Sequence, residues 1–84
     1  MNYPTIKQLR YFIALVDYNH FGKAAESCFV SQSAFSVAIK ELENILNGSL
    51  VDRTNKSVTV TNLGRETYNQ AKFVMSNLSH LVEL

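Results

Sequence analysis

Gln32, Ser33, Ser36, Val37 and Lys40 are the side chains of this sequence best suited to recognise another molecule. Stepped at the helical ~100° per residue, they fall on one arc of the stretch VSQSAFSVAIKELENILNG, residues 30–48. A solvated arc normally carries good helix formers such as Glu, Lys, Arg or Gln. This one carries two serines and an outward valine near its start. Serine is mediocre inside a helix, because its hydroxyl competes for backbone hydrogen bonds. Short donors and acceptors beside a methyl-bearing side chain match the base edges and phosphates of a DNA groove. Taken alone, the arc also fits an ordinary solvated helix start.

Chemistry of other kinds finds little support. There is no Gly-rich phosphate loop, no His/Cys cluster at metal spacing and no nucleophile–base pair, so no catalytic, metal or cofactor residue is assigned. His20 and His80 read as capping or surface residues. Cys28, the only cysteine, reads as a small buried hydrophobe, and one cysteine suits a reducing, cytoplasmic setting.

The elements that position the arc follow from spacing. Phe35, Ala38, Ile39, Leu42, Ile45 and Leu46 form the core side of the same helix. Ser31 suits its N-cap, and Gly48 suits the left-handed stop. Glu41 and Glu43 come late in the helix, with Glu43 expected on the exposed arc. Upstream, Phe21 to Cys28 reads as a short helix starting at Asn19 or His20, with Phe29-Val30-Ser31 as the turn. Two short helices joined this way make a helix-turn-helix. The turn lacks glycine.

Thr5 can cap a first helix from Ile6 to about Tyr18, whose Ile6, Leu9, Phe12, Ile13 and Val16 form the expected buried stripe. Tyr11 and Leu15 lie off it, open to partial exposure or to contact with a partner. Leu50 to Arg53 and Val58 to Val60 flank a polar tip and read as a two-stranded hairpin, a wing. Arg53 would face a minor groove and Lys56 a phosphate. Thr61 can cap a last helix from Asn62 onward. There Tyr68, Ala71, Met75, Leu78 and Val82 recur at spacings of three and four, a heptad seam for dimerisation that Val74 and Leu81 widen. Little else in a lone chain this short should be left to cover that seam.

The expected fold is therefore mostly α, a winged helix-turn-helix of three helices and a wing over residues 1–61, followed by a long linker helix over 62–84. Eighty-four residues make one thin core that further packing would help. Formal net charge is only +1, less basic than most nucleic-acid binders. Its distribution is more favourable: Lys7, Arg10, Lys23 and Lys40 outnumber Asp17 and Glu26 in the first forty residues. No signal peptide or long apolar run is present, so no membrane partner is expected. A helical protein-interaction module without nucleic acid is the alternative of a different class.

The run HFGKAAESCFVSQSAFS, residues 20–36, resembles the DNA-binding domain of LysR-type transcriptional regulators. Ile39-Lys40-Glu41-Leu42-Glu43, Leu50 to Arg53 and Thr61-Asn62-Leu63-Gly64 agree with it, so the likeness covers nearly the whole chain. HFGKAAESCFVSQ with SVAIKELE is similar to the OxyR-like, peroxide-sensing branch. Ser33 replaces a common proline, Phe35 a usual leucine and Val37 a frequent arginine. The resemblance implies binding to double-stranded DNA on an interrupted inverted repeat, through Lys23, Ser31, Gln32, Ser33, Ser36, Val37, Lys40, Arg53 and Lys56. It also implies a homodimer, or a tetramer at full length, with an effector domain outside these residues. The sequence stops inside an amphipathic stretch, as a fragment of a longer protein would.

Overall fold

A computed structural model of the chain describes residues 2–53 and 58–84. It orders six elements: α1 (Ile6–Tyr18), α2 (Phe21–Ser27), α3 (Gln32–Leu46), β1 (Val51–Asp52), β2 (Thr59–Val60) and α4 (Asn62–Val82). This is the winged helix-turn-helix with a long last helix that the pattern of apolar residues requires.

Each helix starts on a side chain able to satisfy a free backbone N–H. Thr5 Oγ1 accepts from the Gln8 N–H at 3.1 Å, and Gln8 Oε1 accepts in return from the Thr5 N–H at 3.0 Å. His20 Nδ1 accepts from the Lys23 N–H, Ser31 Oγ from the Ala34 N–H, and Thr61 Oγ1 from the Gly64 N–H. The expected caps Thr5, Ser31 and Thr61 are all in use, and His20 rather than Asn19 begins α2.

The helix ends differ from expectation. Asn47, at φ 57°, takes the left-handed position that stops α3, and Gly48 has no positive φ. Phe29 takes φ 60° in the turn between α2 and α3, where glycine is the usual solution. Asparagine tolerates this region because its short side chain bonds locally, whereas phenylalanine gains nothing comparable. The third such residue is Asn19, which closes α1.

The core is built around Phe12, Leu15, Phe35, Ile39, Leu42 and Leu50, all fully buried. Phe35 of α3 stacks on Tyr11 of α1, with ring centres 5.2 Å apart and planes at 23°. It also meets Phe21 of α2 edge-on at 6.2 Å. Tyr11 and Leu15, placed off the α1 stripe by spacing, are thus core residues, and Ile6, placed on it, is exposed. The reason is that α1 is packed on two sides, by α2 and α3 and by α4, so its buried arc is wider than one stripe. Ala24 and Ala25 are buried, which lets α2 lie close to its neighbours.

The wing is shorter than expected: Val51 pairs with Val60 and Asp52 with Thr59, antiparallel. Its base is fixed by the Thr61 N–H, which donates to the Leu50 carbonyl at 3.0 Å. Gly64 is required at this joint, because a Cβ there would collide with the Leu50 carbonyl oxygen.

The seam of α4 is not left open within one chain. Ala71 is only 1% exposed, and Tyr68 is partly buried against the core. The Tyr68 hydroxyl donates to Asp17 Oδ1 of α1 at 2.6 Å. Met75 lines a groove with Ile13 and Ala14 of α1. The expectation that little would cover this stripe is corrected: α1 of the same chain covers its first part.

Phe35→Ala should cost about 3–5 kcal/mol, since it removes a fully buried ring and both of its aromatic contacts. Urea unfolding followed by circular dichroism should show the midpoint fall with the slope unchanged.

Candidate nucleic-acid interface

Burying Phe35, Ala38, Ile39 and Leu42 on one side of α3 sets the opposite arc by rotation alone. Gln32, Ser33, Val37 and Lys40 are exposed there, and Ser36 is half-buried. Val37 keeps 59% of its surface, a methyl-bearing patch among polar groups. Ser31 is exposed too, but its oxygen already caps the helix, leaving its O–H free to donate outward. Gln32 Oε1 lies 3.3 Å from where a Cβ on Gly22 would sit. The amide therefore rests beside the start of α2, where a Cβ on residue 22 would crowd it.

Lys23 is exposed on the first turn of α2, close to this end of α3. The structure thus brings Lys23, Ser31, Gln32 and Ser33 to one end of the helix-turn-helix. Lys40 stands further along α3, lining a cleft of about 540 Å³ with Asn44, Ser49, Asp52 and Arg53. The cleft separates the recognition arc from the wing. Lys56 lies outside the described residues.

Arg53 is not a free cation at the wing. Its Nη2 donates to Glu43 Oε1 at 3.1 Å, and its guanidinium carbon lies 5.4 Å from the centre of the Phe21 ring. Forty per cent of its side chain remains exposed. Glu43 is the larger correction. Spacing put it on the exposed arc, yet it is only 6% exposed. Its Oε2 accepts from the Leu50 N–H at 2.8 Å while Oε1 takes Arg53. The chain turns back after Asn47, and that reversal delivers both donors to Glu43. Nothing in α3 alone signals this. The signal was the arginine ten residues on, at the end of a predicted strand.

The dimerisation candidates divide. Tyr68 and Ala71 face α1, Met75 and Leu78 are half-buried, and Val82 is exposed. Val74 and Leu81, which widen that seam, are exposed, and Phe73 adds exposed apolar surface outside it. Among the described residues no cluster of His, Cys, Asp or Glu could hold a metal ion, and no helix is long and apolar enough to cross a membrane. Every buried side-chain nitrogen or oxygen among them has a hydrogen-bond partner.

A capped helix pair with an outward polar arc, a short wing beside it and a long trailing helix define a winged helix-turn-helix domain. The family of bacterial regulatory helix-turn-helix proteins, lysR family, matches residues 6–65. The chain belongs to the LysR family. It is 38% identical over 79 residues to the DNA-binding transcriptional dual regulator OxyR of Escherichia coli K12, covering 94% of this chain and 26% of that protein. It is 37% identical over 81 residues to the HTH-type transcriptional regulator EstR of Acinetobacter baylyi, covering 96% of this chain and 27% of that one. The chain therefore spans about a quarter of the length of these relatives. The crystal structure of the BenM DNA-binding domain in complex with catB site 1 DNA superposes with a TM-score of 0.90 at 33% identity, covering 94% of this chain and 88% of that one. The two regulators are matched almost equally well, so identity places the chain in the family without separating its branches.

The bond to Asp17 is the main reason that the Tyr68 phenol titrates above its ordinary 10.0, with partial desolvation and the Asp17 charge adding to it. A group whose folded pKa is raised stabilises the fold below its unfolded pKa and loses that contribution as pH climbs through the folded value. The native chain should therefore melt higher than Tyr68→Phe at neutral pH, and the gap should close as pH rises past 10.0 through the raised value of the phenol. Thermal melts of both chains across that range check it, and a gap independent of pH would remove the bond from the account.

Proposed function

We propose that the chain binds double-stranded DNA as the reading domain of a transcriptional regulator, with the first half of α3 in the major groove. The observation that carries this is the arc itself: Gln32, Ser33, Val37 and Lys40 are held outward by a core that locks the other side of α3. The BenM domain, which shares the fold, is described as a complex with DNA, and that supports the reading. Gln32 offers a donor and an acceptor together, the pattern adenine presents in the major groove. Ser33 and Ser36 are short enough for phosphate or a base edge, and Val37 suits a thymine methyl. Lys23, the Ser31 hydroxyl, Lys40 and Lys56 serve as phosphate contacts, and Arg53 serves the minor-groove side. Residues 1–61 do the reading and 62–84 the pairing. The activity is binding rather than catalysis, in the cytoplasm.

Gln32→Ala should relax discrimination at one base pair per half-site by about 1–3 kcal/mol, with non-specific binding nearly unchanged. Lys40→Ala should weaken specific and non-specific binding together. Fluorescence anisotropy on duplexes selected from a random library, and on their single-base variants at fixed salt, checks both. Base preferences unaltered by Gln32→Ala would remove this face of α3 as the reading surface.

The partner on DNA is a second copy, bound to an interrupted inverted repeat with half-sites spaced by about one helical turn or multiples of it. In the full-length regulator such dimers pair into a tetramer. With Tyr68 and Ala71 turned inward, the exposed apolar residues Val74, Leu81 and Val82, beside Leu78, carry the pairing. Leu81 is 62% exposed, so Leu81→Lys should leave the monomer folded and place an uncompensated charge in the interface. Sedimentation should show monomer at micromolar protein with helical content intact. A persistent dimer would move the interface elsewhere.

A further inference from the structure

Glu43 is buried one turn beyond Lys40, with which it lines the cleft, and both of its oxygens are committed to the wing. Oε2 takes the N–H of Leu50, just before β1, and Oε1 takes the guanidinium of Arg53, just after it. A single hydrogen bond would let β1 swivel about the contact. Two bonds from one rigid carboxylate, to groups at either end of the strand, set both its distance and its angle from α3. Phe21 adds a third seat, its ring beneath the Arg53 guanidinium and its edge against Phe35. The wing is thereby referenced to the same ring that orients α3.

We propose that Glu43 is a positioning residue for DNA binding: it holds Arg53 and the wing in the pose that meets DNA, without touching DNA itself. The proposal rests on the DNA-binding reading given above. Arg53 presents five N–H donors in a fixed fork, and its bond to Glu43 through Nη2 leaves others to turn outward from a side chain that is 40% exposed. An arginine already oriented loses less freedom on binding than one free in solution.

The sign of one substitution separates this role from simple electrostatics. Glu43→Gln keeps the shape and an acceptor for the Leu50 N–H but removes the charge that holds Arg53. If Glu43 acts only as a negative charge near phosphates, removing it tightens binding. If it positions the wing, removing it weakens binding. The experiment measures the full chain, Glu43→Gln, Arg53→Ala and the double variant by anisotropy at fixed salt. Two library-selected duplexes serve as probes, one with the flanks beyond the half-sites and one trimmed of them.

Glu43→Gln should lose about two- to fivefold in affinity on the flanked duplex, the scale of a partly exposed ion pair, and little on the trimmed one. In the Arg53→Ala background it should cost nothing more. Tighter binding, equal loss on both duplexes, or full additivity with Arg53→Ala would each overturn the positioning role. Equal loss would mark a general folding defect, and Phe21→Leu gives a second check, expected to reproduce part of the loss on the flanked duplex only. If the unmodified chain selects no duplex at all, the DNA-binding reading itself fails, and the role of Glu43 falls with it.

Discussion

The ring of Phe35 is the fixed point of this structure. It contacts Tyr11 on α1 and Phe21 on α2 and is fully buried. Through Phe21 it also reaches Arg53 at the wing. One side chain on α3 therefore relates that helix to α1, to α2 and, at one remove, to the hairpin. In a domain of this size the buried surface is small, so a few large rings carry a larger share of the packing than they would in a bigger core. The direction of the outward arc on α3 follows from how that ring is held.

Local features were legible in the sequence wherever the deciding partners lie within a turn or two along the chain. Thr5, Ser31 and Thr61 cap helices because each needs only a backbone N–H three residues on. The division of α3 into Phe35, Ala38, Ile39 and Leu42 against Gln32, Ser33 and Val37 needs only the helical step. The family was legible because its motifs are local strings.

Features set by contacts between distant segments were not legible. Glu43 looks like a solvated residue until the chain reverses and brings Leu50 and Arg53 to it. Tyr11 looks peripheral until α3 brings the Phe35 ring onto it, and Leu15 until α1 is packed on two sides and its buried arc widens. Tyr68 and Ala71 fit a seam between chains and a seam within one equally well, because periodicity says that a stripe is apolar and not what covers it. The stop of α3 falls at Asn47, one residue before the glycine that spacing favours, since asparagine and glycine both accept left-handed backbone and stand side by side.

The helix ends have a mechanical consequence. Among the described residues, Asn19, Phe29 and Asn47 hold every positive φ, and none is glycine. A glycine at such a corner roams both halves of backbone space, while a residue with a side chain is confined to one small well there. Phe29 is confined without any burial to explain it, being 94% exposed. The corners before α2, before α3 and after α3 are therefore stiff elbows rather than hinges. A stress arriving along α4 from elsewhere in a longer protein would turn this unit as a single piece. Regulation transmitted that way would change the span between two such pieces, much as calipers change their gap without bending their jaws.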